Sequence, residues 1–227
     1  RASDSTTQAI GFVGEEIDES AITTFCTGTS CTVQVWHDQS QTGGTGSGND
    51  ATQTTPANQP TIYTGGALVK EGGRLAVEFD GSNDNFILSL TSSASNYSLF
   101  TAQKTTSTTS FLFDSQTGRL VFNGQPSNQG IYYDGSWRGS THSINAQQVE
   151  SILAVSPSSG QSYVNGSQIN TGLSYTQTAI GGTTRLGSNY NAGGFFFAGT
   201  LQEFILYDSD KSTDRTSIEG NISGYYQ

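Results

Sequence analysis

The feature that most constrains this chain is a rhythm. Short runs of β-branched and aromatic residues recur along its whole length, separated by clusters of Gly, Asn, Asp and Ser. That alternation of strand-sized runs and turn residues is the pattern of an all-β chain. Candidate strands are 32–36, 61–63, 74–79, 86–88, 97–103, 110–113, 119–122, 129–133, 150–155, 161–164, 183–186 and 195–207. Leu75, Val77 and Phe79 alternate as a half-buried strand requires, with Arg74, Ala76 and Glu78 facing away. Leu201, Phe204 and Leu206 break the alternation, which predicts a bulge or a doubly buried strand.

Turn chemistry supports the same reading. Asn165-Gly166 joins two strand runs and predicts a type I′ hairpin, whose two central residues both need positive φ. Asp80-Gly81, Asn123-Gly124 and Asp134-Gly135 are further turn candidates. Two short helices are expected, over 16–25 with Asp18 or Ser20 as cap, and over 212–225. The Gly-rich segment 41–49 reads as a long loop, so the 227 residues are expected to form one domain.

Composition narrows the function. Formal charge is −10 with nine Lys plus Arg, which leaves no basic footprint for nucleic acid. No run of about 18 apolar residues exists to cross a membrane. Twelve Phe, ten Tyr and two Trp supply a core despite the polar excess. Cys26 and Cys31 are expected to form a disulfide in an exported protein, against the alternative of two free buried thiols. The setting expected is extracellular or a virion surface, with a homo-oligomer or larger assembly open.

Three blocks carry a resemblance. RASDSTTQAIGF, FCTGTSC and VWHDQSQTGGTGSGNDATQ together resemble the opening of the arabinofuranosidase B catalytic domain. LAVEFDGSND is similar to a strand–turn of laminin-G-like jelly rolls, and AGTLQEFILYDSDKSTDRTSIEGNISGYYQ to their closing strand and helix. The N-terminal block also resembles those of large bacterial surface proteins and phage structural proteins. The resemblance implies a concanavalin A-like, two-sheet antiparallel jelly-roll sandwich with one or two short helices.

That family hydrolyses with two carboxylates, one attacking and one protonating the leaving oxygen. Matching the segments places the family's aspartate on Asp134, its glutamate on Ser136 and its late acid near Asn191, so the acidic pair is not kept. His37 and Asp38 are neighbours on a strand and point to opposite faces; His37 and His142 with the two cysteines do not make a zinc set. Asp38, Gln39, Ser40, Asn49 and Asp50 read as loop-bonding residues. No cofactor is expected. Asp80 and Asp84 read as turn caps, with structural calcium as the alternative.

What remains is an aromatic cluster with polar neighbours: Tyr132, Tyr133, Asp134 and Trp137, with Tyr190 and Asn191 in a Gly/Asn-rich loop. Aromatic faces and placed amides suit a sugar, and the competing reading makes these rings core. The expected ligand residues are Trp137, Tyr133, Asp134, Tyr190 and Asn191, and the expected partner is a glycan or cell-surface polysaccharide. The expected function is a non-catalytic recognition or surface-display module. Its rivals are a glycoside hydrolase with displaced carboxylates (Glu150, Glu203 or Asp134) and a purely structural capsid or fibre domain.

Overall fold

The computed structural model describes residues 1–40, 48–90, 96–117, 121–124, 132–133, 137–138, 143–156, 159–173 and 180–227. It is an all-β antiparallel sandwich with two helices. Among these residues, sheet I runs Ser167–Leu173, Ser159–Val164, Gln148–Ser156, Tyr97–Thr105, Ala198–Tyr207, Val77–Asp80, Thr61–Thr64 and Cys31–Thr32, with Ala67–Leu68 paired beside Thr61–Thr64. Sheet II runs Trp137–Arg138, Tyr132–Tyr133, Val121–Gly124, Phe111–Thr117, Gly181–Leu186, Phe86–Leu88, Ala51–Thr52 and Val35–Trp36. The run expected as one strand over 32–36 thus divides, one half in each sheet.

The core lies between the sheets because alternate residues of both point there. Val77, Phe79, Leu99, Ile152 and Leu201 of sheet I meet Ala51, Phe86, Leu88, Phe113 and Leu186 of sheet II. Phe79 is the hub, packed edge to face on Phe86 at 5.9 Å and on Phe197 at 5.6 Å, the arrangement that ring quadrupoles favour. Phe113 and Phe204 bridge the sheets at 5.4 Å. Trp36 packs edge to face on Phe86.

The anticipated irregularity is present: Ala102 pairs with Glu203 but Gln103 with Leu201, so one extra residue bulges on the partner strand. Asn165 and Gly166 have φ of 48° and 76°, as the hairpin requires. Asn123-Gly124 is no turn; both residues lie in the strand Val121–Gly124, where Gly124 pairs with Phe111. Ala76, expected to face away, is buried, and its N–H donates to the Val69 carbonyl.

Helix α1 (Glu19–Cys26) is capped by Asp18, whose Oδ1 accepts from the Ala21 N–H at 2.9 Å. It starts three residues later than expected because that bond fixes its first turn. Helix α2 (Arg215–Tyr226) lies on the outer face of sheet I, setting Ile222 against Phe100, Ala102, Val149, Leu153 and Tyr163. Neither helix is long and apolar enough to cross a membrane.

Cys26 and Cys31 form the disulfide, buried with Ile22 and Tyr63. The bridge closes a short loop and so removes modest chain entropy, about 2 kcal/mol. Replacing both cysteines with serine should lower stability by about that amount in urea titrations, with the helix retained in far-UV dichroism.

Candidate functional site

The β-ladders of sheet II put one line of residues across its whole width. Val35 pairs with Thr52, Thr52 with Ile87, Ile87 with Arg185 and Arg185 with Asp114. Asp114 pairs with Val121, Val121 with Tyr133 and Tyr133 with Trp137. Directly paired residues share a face. Ile87 is exposed while Phe86 and Leu88 on either side are in the core, so Ile87 and its ladder partners Thr52 and Arg185, with Asp114 beyond, belong to the outer face. Register alone therefore brings Tyr133 and Trp137 into one row with an acid and a base.

The centre of the row is covered by the loop 187–195. Gly187 opens it at φ 89°, with the Phe79 ring 2.5 Å from where a Cβ would stand, so a side chain there would collide with the core. The Asp114 carboxylate then accepts from the Tyr190 N–H at 3.0 Å, and Arg185 Nε donates to the Tyr190 carbonyl at 3.0 Å. Both sides of one residue are held by the two charged neighbours. That cover explains how Asp114, on an outward row, is fully buried.

Arg185 is anchored on its other side, where Nη1 donates to Asn85 Oδ1. Asn85 also receives Gln53 Nε2, at 2.9 Å on its carbonyl and 3.2 Å on its side chain. Burial holds the guanidinium below its usual pKa, and an arginine side chain stays charged in proteins. Among the described residues its hydrogen-bond acceptors are neutral oxygens, with no carboxylate in an ion pair. A half-buried cation of this kind has N–H donors to offer an oxygen-rich ligand.

Each expected site residue has a place. Tyr133 and Trp137 stand directly opposite each other in the ladder row. Tyr190 is tied to that row through its backbone. Asn191 is exposed, and its Oδ1 accepts from the Gly193 N–H at 2.9 Å, so half of its amide shapes the loop. Asp134, Ser136, His142 and the glycine-rich 41–47 lie outside the described residues. Asp114 and Arg185 were not anticipated. The available signal was a lone charge inside each of two strand runs, FLFDSQ and GTTRLG.

The other carboxylates proposed for hydrolysis lie elsewhere. Glu150 is fully buried on the inner face of sheet I, opposite Thr101. Burial pushes its pKa up to about 8, offset a little by the nearby Gln103 amide, although no hydrogen bond of normal geometry reaches either oxygen. Glu203 faces α2 and accepts from the Tyr226 hydroxyl at 2.9 Å, with burial raising its pKa. Neither side chain belongs to the outer row of sheet II. His37 Nδ1 meets Asp50 Oδ2 at 2.9 Å, and Asp50 Oδ1 accepts from the Asp38 N–H at 2.8 Å, which fits the loop-bonding reading. Asp80 Oδ1 accepts from the Ser82, Asn83 and Asp84 N–H groups at 2.8–3.3 Å, a turn cap.

Comparison with solved structures places this geometry among known folds. An arabinofuranosidase complexed with arabinofuranosyl-α-1,2-xylobiose superposes with a TM-score of 0.72 at 19% identity, covering 98% of this chain and 57% of that one. A GH54 enzyme soaked with a cyclic sulfate inhibitor gives 0.69 at 19% identity with the same coverage. Trypanosoma rangeli sialidase with sialic acid gives 0.51 at 15%, covering 85% of this chain and 32% of that one. No family model and no curated protein matches the sequence. The likeness is one of fold, and the chain spans just over half the length of the arabinofuranosidases it matches.

Proposed function

We propose that the chain is a glycan-recognition module that reads neutral sugars on the outer face of sheet II. The observation that carries this reading is the ladder row aligning Trp137 and Tyr133 with the half-buried Arg185, beside the Tyr190 loop that the buried Asp114 holds in place. Aromatic residues and a few convergent polar groups are the general makeup of a small-ligand site. A formal charge of −10 disfavours acidic polymers, which leaves neutral saccharides as the better class. The disulfide fits an exported setting such as a secreted surface protein; a virion surface is the more specific form of the same proposal. The arabinofuranosidase likeness makes sugar the natural first ligand to try.

The test is a neutral-glycan array followed by Trp137→Ala. Binding in the low millimolar range or tighter is expected, with at least a tenfold loss in the variant. An array without hits, or hits that Trp137→Ala leaves unchanged, would count against the reading. Incubation with aryl arabinofuranosides separates recognition from hydrolysis, because a module of this kind releases no sugar.

A further inference from the structure

The outer face of sheet II does not end at Arg185. Its ladder partner Ile87 is 40% exposed. Among the described residues it is the one exposed large apolar side chain within a strand of that sheet. Ile87 pairs in turn with Thr52, and Thr52 with Val35 on the edge strand. Phe86, Leu88, Ala51 and Trp36, the sequence neighbours of these residues, belong to the core or pack against it. Strand alternation therefore turns Ile87, Thr52 and Val35 outward.

The same edge carries a fixed imidazole. Trp36 pairs with Ala51 on the core side, so His37 and Asp50, next along, fall opposite each other on the outward side. Their side chains meet there, with His37 Nδ1 2.9 Å from Asp50 Oδ2. A carboxylate only accepts, so Nδ1 carries the proton and Nε2 of the neutral ring is an acceptor. Asp50 is itself held, because its Oδ1 accepts from the Asp38 N–H at 2.8 Å. Asp38 in turn accepts from the Ser40 N–H at 2.8 Å and the Asn49 amide at 3.3 Å. This chain of bonds orients a ring that is 53% exposed, and among the described residues its Nε2 has no partner.

Three strand spacings, about 14 Å, separate Arg185 from Val35, and His37 stands two residues, about 7 Å, further along the edge strand. At one end Arg185 Nε and Nη1 serve Tyr190 and Asn85, which leaves Nη2 without a partner among the described residues. At the other end is the imidazole acceptor, with apolar Ile87 and the Thr52 hydroxyl between. A donor, an apolar floor and an acceptor on one face suit a sugar chain, whose rings offer C–H faces and edge hydroxyls. A single ring is too short to reach both ends. We infer that His37, Thr52 and Ile87 form a second sugar subsite, and that the ligand is a neutral oligosaccharide lying across the strands from Arg185 to the sheet edge. This rests on the glycan-binding reading of the outer face and extends it to residues of the opposite half of sheet II.

The test is calorimetric titration with xylo- and arabino-oligosaccharides from mono- to tetrasaccharide, on the wild type, His37→Ala and Ile87→Thr, with thermal unfolding of each. The wild type should bind the tetrasaccharide about tenfold more tightly than the monosaccharide. Each variant should lose most of that increment and keep monosaccharide binding and melting temperature. Ile87→Thr stays β-branched, as a strand prefers, and lies outside the His37–Asp50 chain, so it decides the matter if His37→Ala melts lower. The chain has two histidines, and the His37 ring protons should shift in nuclear magnetic resonance with tetrasaccharide. Equal binding of mono- and tetrasaccharide, an Ile87→Thr protein that retains the chain-length dependence, or an unmoved His37 ring at saturation overturns the subsite while the first site stands. Failure of every saccharide to bind the wild type removes both.

Discussion

Replacing Glu150 with glutamine should make the protein markedly more stable at pH 9 than the wild type and nearly equal to it at pH 4. The carboxyl sits between the sheets with neither oxygen in a hydrogen bond of normal geometry, and burial raises its pKa from 4.5 to about 8. Below about pH 4.5 it is protonated in both folded and unfolded chains, and burial carries no charge penalty. Between 4.5 and 8 the unfolded chain ionises first, so stability falls as pH rises. Above about 8 the full cost of a buried charge is present, on the order of 5 kcal/mol. Glutamine keeps the shape and cannot ionise. Urea midpoints at pH 4, 7 and 9 check this, and equal slopes for wild type and Glu150→Gln would refute it. Asp84 adds a second decline that ends near pH 7, where burial has pushed its carboxyl, so the interval from 7 to 9 isolates Glu150.

Arg185→Met should reduce glycan binding by at least tenfold and also destabilise the fold. The methionine keeps the apolar stem but leaves the Tyr190 carbonyl without the guanidinium donor and Asn85 Oδ1 with Gln53 Nε2 alone. An acceptor left unsatisfied when buried costs about 1–3 kcal/mol, so the loop 187–195 should loosen over the row it now covers. Hydrogen exchange at the amides of Tyr190 and Gly193 reads the loosening directly. Unchanged exchange together with lost binding would assign Arg185 to ligand contact alone; unchanged binding would remove it from the site.

Local rules were legible where a residue's conformation or spacing decides the outcome. Asn165-Gly166 signalled a tight hairpin, Asp18 was one of two cap candidates, and the broken alternation of Leu201, Phe204 and Leu206 pointed to a bulge or a doubly buried strand, of which the bulge is present. Asn123-Gly124 misled because the same dipeptide is tolerated in a strand when the neighbouring strand supplies its pairing. The site was half legible. Tyr190 and Asn191 stood out as an aromatic and an amide in a glycine-rich loop, and Tyr133 and Trp137 as rings near a turn. Asp114 and Arg185 did not, because they are 71 positions apart and meet only through strand pairing. Nor does a single strand reveal that Glu150 faces the interior while Val149 faces α2, since QVESILAV mixes polar and apolar residues on both faces. Phe195 was read as the start of a strand, yet the strand begins at Ala198 and Phe195 belongs to the loop.

The most direct test of the sugar-binding face is a titration of the labelled protein with a xylo- or arabino-tetrasaccharide, followed amide by amide in nuclear magnetic resonance. Shifts should concentrate on Asp114, Arg185, Tyr190 and Asn191, with the amides of α2 unmoved. Shifts gathered on the helix-covered side of sheet I, or none at saturating sugar, would contradict it.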